Sequence, residues 1–181
     1  MVDAAFKSMV AGVFVEADAP GVTNQRRGEL LENLVRDLFA LVDGVTYWKS
    51  RVINAAGSAE FDVCFINDER ISPVYKMGHV IIVECKNTAA KVTSPTLRTF
   101  VNKLQTARSN WGILVAAYGI TGSMQRKSAA HDVVLDSRTL QIPVNILVVT
   151  RKDLLELDDA SDVTKMLIDK IMSHTLALPS F

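Results

Sequence analysis

Apolar residues recur at three- and four-residue steps through 24–42, where Leu31, Leu34, Val35, Leu38, Leu41 and Val42 form one stripe. That spacing predicts an amphipathic helix, and Gly44 supplies its stop. Phe6, Met9, Val10 and Val13 repeat the spacing earlier, so a short packed helix is expected before a connector at 17–23 that holds Pro20 and Gly21. Beyond Gly44 the pattern changes to β-branched and aromatic runs, which predict strands at 45–53, 59–67 and 78–86. A turn with Gly57 and a longer polar connection over 67–78 separate them. Ser94-Pro95 marks a helix start, with serine as cap and Leu97, Phe100, Val101 and Leu104 as the buried side. A strand at 111–117, a helix at 123–135, a strand at 144–150 and helices near 151–157 and 163–174 complete the chain. Trp48 and Trp111 are expected to pack in or near the core rather than to stack bases. The order predicts an α/β fold, a mixed central β-sheet flanked by helices with an αβββαβ core. Residues 1–23 form the short helix and connector, 24–150 the core, and 151–181 a helical extension of the same domain.

Against this pattern, the polar intrusions carry the information. The run HVIIVECK ends in Glu84 and Lys86, which alternation places on one strand face, with Val83 and Cys85 on the other. On the preceding strand Glu60 and Asp62 share a face, together with Cys64, while Phe61, Val63 and Phe65 line the opposite one. Charges on so apolar a strand are costly unless they pair or bind a cation. Two carboxylates and a lysine brought together this way make a hard, oxygen-rich site suited to magnesium or manganese, as in a metal-dependent phosphodiesterase. The competing reading is a cross-strand surface ion pair, worth under about 1 kcal/mol.

Asp62 followed by Glu84-Cys85-Lys86 at the end of an apolar strand resembles the PD-(D/E)xK nuclease superfamily, with Phe61-Asp62 in place of its leading Pro-Asp. The segment Leu31-Glu32-Asn33-Leu34-Val35 resembles the family's first helix. Gly112-Ile113-Leu114-Val115 and Tyr118-Gly119-Ile120-Thr121 look like its later strand and turn, which favours the Mrr-like restriction endonuclease branch. Members of that branch typically carry glutamine where this chain has Glu84. The resemblance covers about residues 25–150. It implies the restriction-endonuclease-like fold and cleavage of DNA with Mg2+ or Mn2+. Asp62, Glu84 and the Cys85 carbonyl would be metal ligands, Lys86 would orient water or stabilise phosphate charge, and Glu32 would complete the site. On the helical wheel Glu32 flanks the apolar stripe and Glu29 lies opposite it, facing solvent.

Twenty basic and twenty acidic residues among 181 give zero formal charge, so DNA contact must come from local patches. Lys91, Arg98, Asn102, Lys103 and Gln105 follow the motif, and Arg98, Asn102 and Gln105 share a helical face. Arg126 and Lys127 follow the turn at 119–123, whose backbone N–H groups could face an anion; Thr121 and Ser123 there read equally as helix caps. These residues are the candidate nucleic-acid contacts, a solvated surface being the alternative. Cys64 and Cys85 lack zinc spacing, and His79, His131 and His174 are scattered. No serine-hydrolase, P-loop or dinucleotide signature occurs. Reduced cysteines, the absence of a membrane-length apolar run and a start lacking the basic residues of a signal peptide fit a cytoplasmic protein. No separate DNA reader is evident, so either loose sequence specificity or recognition by a partner or second subunit is expected, and cutting both strands of a duplex makes a homodimer a further expectation. A non-catalytic nuclease-fold module that binds nucleic acid or a protein is the alternative from another class.

Overall fold

The computed structural model describes residues 3–54, 57–122 and 129–176. Five strands, β1 (Val45–Ile53), β2 (Glu60–Asn67), β3 (Val80–Lys86), β4 (Trp111–Ala116) and β5 (Asn145–Val149), lie side by side in sequence order. The first three are antiparallel and the last three parallel. The mixed sheet expected from the sequence is therefore present.

Helices cover both faces. On one, α1 (Ala4–Asp18), α2 (Asn24–Phe39) and α6 (Ala160–Thr175) bury Phe14, Leu31, Leu38 and Leu167 against Val63, Phe65, Val83 and Val115. The first and last helices thus share one core with the sheet. On the other face, α3 (Ser94–Thr106) and α4 (Ala130–Asp136) bury Leu97, Phe100, Leu104 and Val133 against Ile82, Leu114 and Ile146. The five-residue α5 (Arg151–Leu155) opens on a capping box between Thr150 and Asp153.

Several local expectations change. α1 runs to Asp18, shortening the connector, and it buries Phe6, Val10, Phe14 and Ala17 while Met9 lies outward. Thr93 rather than Ser94 occupies the cap position of α3, because Ser94 already has a place in the first turn beside Pro95. α4 begins at Ala130; residues 123–128, with Ser123, Arg126 and Lys127, lie outside those described.

Gly112 sets the closest approach of α3 to the sheet. A Cβ there would stand 2.5 Å from Leu104 Cδ1 and 2.8 Å from Phe100 Cζ, both fully buried. Only a residue without a side chain lets the helix settle at this depth. Gly44, at φ +75°, turns the chain from α2 into β1 in a conformation that favours glycine.

Candidate active site

β3 is buried from Ile81 through Cys85. Ile81, Val83 and Cys85 enter the core under α1, α2 and α6, and Ile82 enters the core under α3. Glu84 therefore emerges on the α3 side, only 6% exposed, and a carboxylate so buried needs compensation. It has two partners: Lys86 Nζ lies 2.7 Å from Oε1, and Lys103 Nζ, reaching down from α3, lies 2.7 Å from Oε2.

Asp62 reaches the same place by a different route. The β2–β3 ladder ends at Val63–Val83, where the strands part. The Asp62 side chain fills the next rung: its Oδ2 accepts the Cys85 N–H at 2.7 Å and lies 3.7 Å from Lys86 Nζ. Strict alternation fails at this end of β2, because Phe61 joins the α3-side core with Cys64 instead of following Val63 and Phe65. Opposite it on β1, Arg51 stands at φ +53°, which breaks the extended backbone. Asp62 therefore points across the gap toward β3 rather than sharing the face of Cys64. Lys86, two residues beyond Glu84, ends up between the two carboxylates.

Glu32 approaches from α2, on the other helical layer. Its Oε2 lies 3.4 Å from Arg51 Nε, and the same guanidinium reaches Glu29 at 3.5 Å. Glu29 is thus drawn inward by Arg51 and does not simply face solvent. Three carboxylates (Glu32, Asp62, Glu84) and three cations (Arg51, Lys86, Lys103) make the cluster neutral.

Burial, and secondarily the Glu84 charge, raise the Asp62 carboxyl above its ordinary range despite Lys86, the Cys85 N–H and Lys103. Burial and then Asp62 raise Glu32, against the pull of Arg51. For Lys86, burial disfavours the charged amine, but Glu84 and Asp62 together outweigh it and the amine is raised. Lys86 is therefore an ammonium at neutral pH. The adjoining thiols are inert: burial, then Asp62, pushes Cys64 up to about 11 and drives Cys85 well above its usual value.

Among the described residues, no three His, Cys, Asp or Glu side chains are gathered as a metal site in this arrangement. The reason is visible at Glu84, whose two oxygens turn to lysines. The donor chemistry nevertheless fits a hard divalent cation. Asp62 uses only Oδ2 for its two contacts, and burial, helped by the neighbouring carboxylate, raises the Asp62 and Glu32 carboxyls, an effect a bound cation would offset. Along β3, Glu84 and Lys86 pair with β4, so by ladder alternation the Cys85 carbonyl turns with its N–H toward the opening beside Asp62.

The sequence-predicted nucleic-acid contacts scatter. Lys91 is exposed between β3 and α3. Arg98, Asn102 and Gln105 do share a face, but it lines a groove of about 250 Å3 against α4, and Gln105 donates to the Ile142 carbonyl at 3.2 Å. Lys103, read in the sequence only as a phosphate contact, stands in the carboxylate cluster instead. Its signal was its place one residue before Leu104, on the edge of the apolar stripe.

A helix, three antiparallel strands, a crossover helix and a parallel strand, with buried carboxylates and a lysine where β2 and β3 part, define a restriction-endonuclease-like α/β domain. A family model described as restriction endonuclease, that of the Mrr catalytic domain, matches residues 24–157, about three quarters of the chain. The chain belongs to this Mrr-like family of restriction endonucleases. A search of curated proteins gives no match.

Proposed function

We propose that the protein is a divalent-metal-dependent endonuclease that hydrolyses DNA phosphodiester bonds, with Asp62, Glu84, Lys86 and Glu32 as its catalytic set. The observation that carries this reading is the Lys86 ammonium held between the Glu84 and Asp62 carboxylates, 2.7 and 3.7 Å away, where β2 and β3 separate. Asp62, Glu84 and the Cys85 carbonyl would hold Mg2+ or Mn2+, which supplies a water of lowered pKa and charge stabilisation at the phosphate. Lys86 orients the attacking water and neutralises charge that develops on the phosphate oxygens. Lys103 lies within reach to share that charge once Glu84 is otherwise engaged. Glu32 completes the negative lobe from α2, and Arg51 fixes its direction. DNA is the substrate, and a second copy or a partner subunit supplies recognition and the second strand cut. A cytoplasmic setting fits a DNA substrate, and no helix among the described residues is long and apolar enough to cross a membrane.

One observation favours a second reading, a non-catalytic module: both Glu84 oxygens are already occupied by lysines. Incubation of supercoiled plasmid with Mg2+ or Mn2+ separates the two. Nicking or linearisation is expected, blocked by EDTA and reduced by about 100-fold or more in Lys86→Ala. No cleavage in either metal would favour the module.

A further inference from the structure

The second face of the sheet is only partly roofed. α3 and α4 leave its β1–β2 end open, and a cavity of about 500 Å3 remains there, within the size range of small-ligand pockets. Val52, Phe61 and Ile82 line it from three adjacent strands, together with Trp48, Lys76 and Arg108. Among the described residues, none that lines it is acidic. Most of it lies toward the N-terminal ends of β3 and β4, at Met77–Val80 and Ser109–Trp111, and its inner edge comes toward the carboxylate cluster: Ile82 precedes Glu84 by two residues on the same strand face, about 7 Å along β3. Phe61 precedes Asp62, and Ala107, also on the cavity, follows Lys103 by one helical turn.

Two features of this cavity are out of keeping with simple packing. Trp48 was expected in the core, yet it is 54% exposed. The β1–β2 register slips between Tyr47 and Lys49, so Trp48 is the extra residue of a bulge, a device that re-aims a side chain. Its ring is left partly in water, which forgoes the stabilisation of burial. Arg108 closes α3 at φ +54°, where the Ser109 N–H donates to the Leu104 carbonyl at 2.9 Å. Glycine is the usual occupant of that position, and a side chain there is strained. Both costs place an aromatic ring and an exposed guanidinium on the lining of one cavity.

We propose that this cavity receives a single unpaired nucleobase of the DNA strand bound at Glu84 and Lys86, stacked on Trp48, with Arg108 and Lys76 on the flanking phosphates. The ligand chemistry is that of an aromatic, anionic chain: an apolar floor and a π-face for the base, cations for the backbone. The enzyme therefore prefers DNA with an unpaired or displaced base to a fully paired duplex. The inference rests on the nuclease reading for its substrate class, but its test does not depend on cleavage.

Fluorescence anisotropy in EDTA would compare a labelled duplex carrying a one-base bulge with the fully paired duplex. Wild-type protein, Trp48→Ala and Arg108→Gly would be titrated alongside each other. The expected result is tighter binding of the bulged duplex by wild type, with the preference cut about 10-fold or more in Trp48→Ala. Arg108→Gly relaxes the backbone, so a purely structural arginine predicts unchanged binding and equal or higher thermal stability. The proposal expects weaker binding despite that stability. Equal binding of the two duplexes by wild type, or a preference that survives both substitutions, would overturn it. So would a Trp48→Ala protein that changes oligomeric state in sedimentation while keeping the preference, which would make the cavity an interface between copies. If the preference holds and plasmid stays uncut in Mg2+ and Mn2+, the catalytic reading fails alone.

Discussion

Within the cluster, Asp62 and Glu84 pull stability in opposite directions. Glu84 is clamped by two lysines, so Glu84→Gln leaves Lys103 without its counter-charge and Lys86 with only the more distant Asp62. A loss of about 1–3 kcal/mol is expected in urea or thermal unfolding. Asp62 is held above its ordinary carboxyl range by burial and by Glu84. A carboxyl raised in the folded state contributes stability below its unfolded pKa and loses it as pH rises through the folded value. Asp62→Asn keeps an acceptor for the Cys85 N–H and removes that loss. The variant is expected to match wild type near pH 4 and to gain on it as pH rises to 7, while losing cleavage. A variant that falls below wild type at pH 7 would show that the Lys86 contact outweighs the burial of Asp62.

At the level of elements, the cluster depends on how deeply α3 sits. Lys103 reaches Glu84 because Phe100 and Leu104 pack directly over Gly112. Gly112→Ala forces those side chains or the helix outward and is expected to cost about 1–3 kcal/mol. It should also weaken the Lys103 contact, which double-mutant coupling between Lys103→Met and Glu84→Gln would register as a smaller interaction in the alanine background. This dependence also explains what could be read in advance. Glu84 and Lys86 are neighbours on one strand, and their shared face follows from alternation alone. Helix α2 and strands β1 to β3 fall where their apolar periods predict. Lys103 lies 19 residues from Glu84, and its role needs the packing of α3 on β4. Phe61 and Trp48 depart from strand alternation because of Arg51 at positive φ and the bulge at position 48, neither of which the apolar pattern encodes.

For the whole molecule, acid sensitivity concentrates where α6 meets the sheet. His174 is 7% exposed, edge-on to Trp111 with ring centroids 5.5 Å apart, and its Nε2 lies 3.1 Å from Asn145 Oδ1. Burial, helped by the Arg138 charge, lowers it to about 4. The unfolded chain takes up this proton near pH 6.5 and the folded protein only near 4, so stability is complete above about 6.5 and falls as pH drops through that interval. A loss on the order of 2 kcal/mol is expected, and His174→Gln should flatten it in melting curves taken from pH 7 to 4. An unchanged slope would move the acid sensitivity elsewhere.

The two thiols bear on how this protein can be studied. Cys64 and Cys85 are the only cysteines of the chain, both buried, one with its pKa pushed up to about 11 and the other well above its usual value. Maleimide and oxidants act on thiolates, so the native protein should be blank to them at pH 7. A single cysteine placed on the surface, at Lys91 or Arg98, would be its one reactive handle. The wild-type chain is thus ready for a spin label or fluorophore without the removal of Cys85, whose backbone borders the carboxylate cluster.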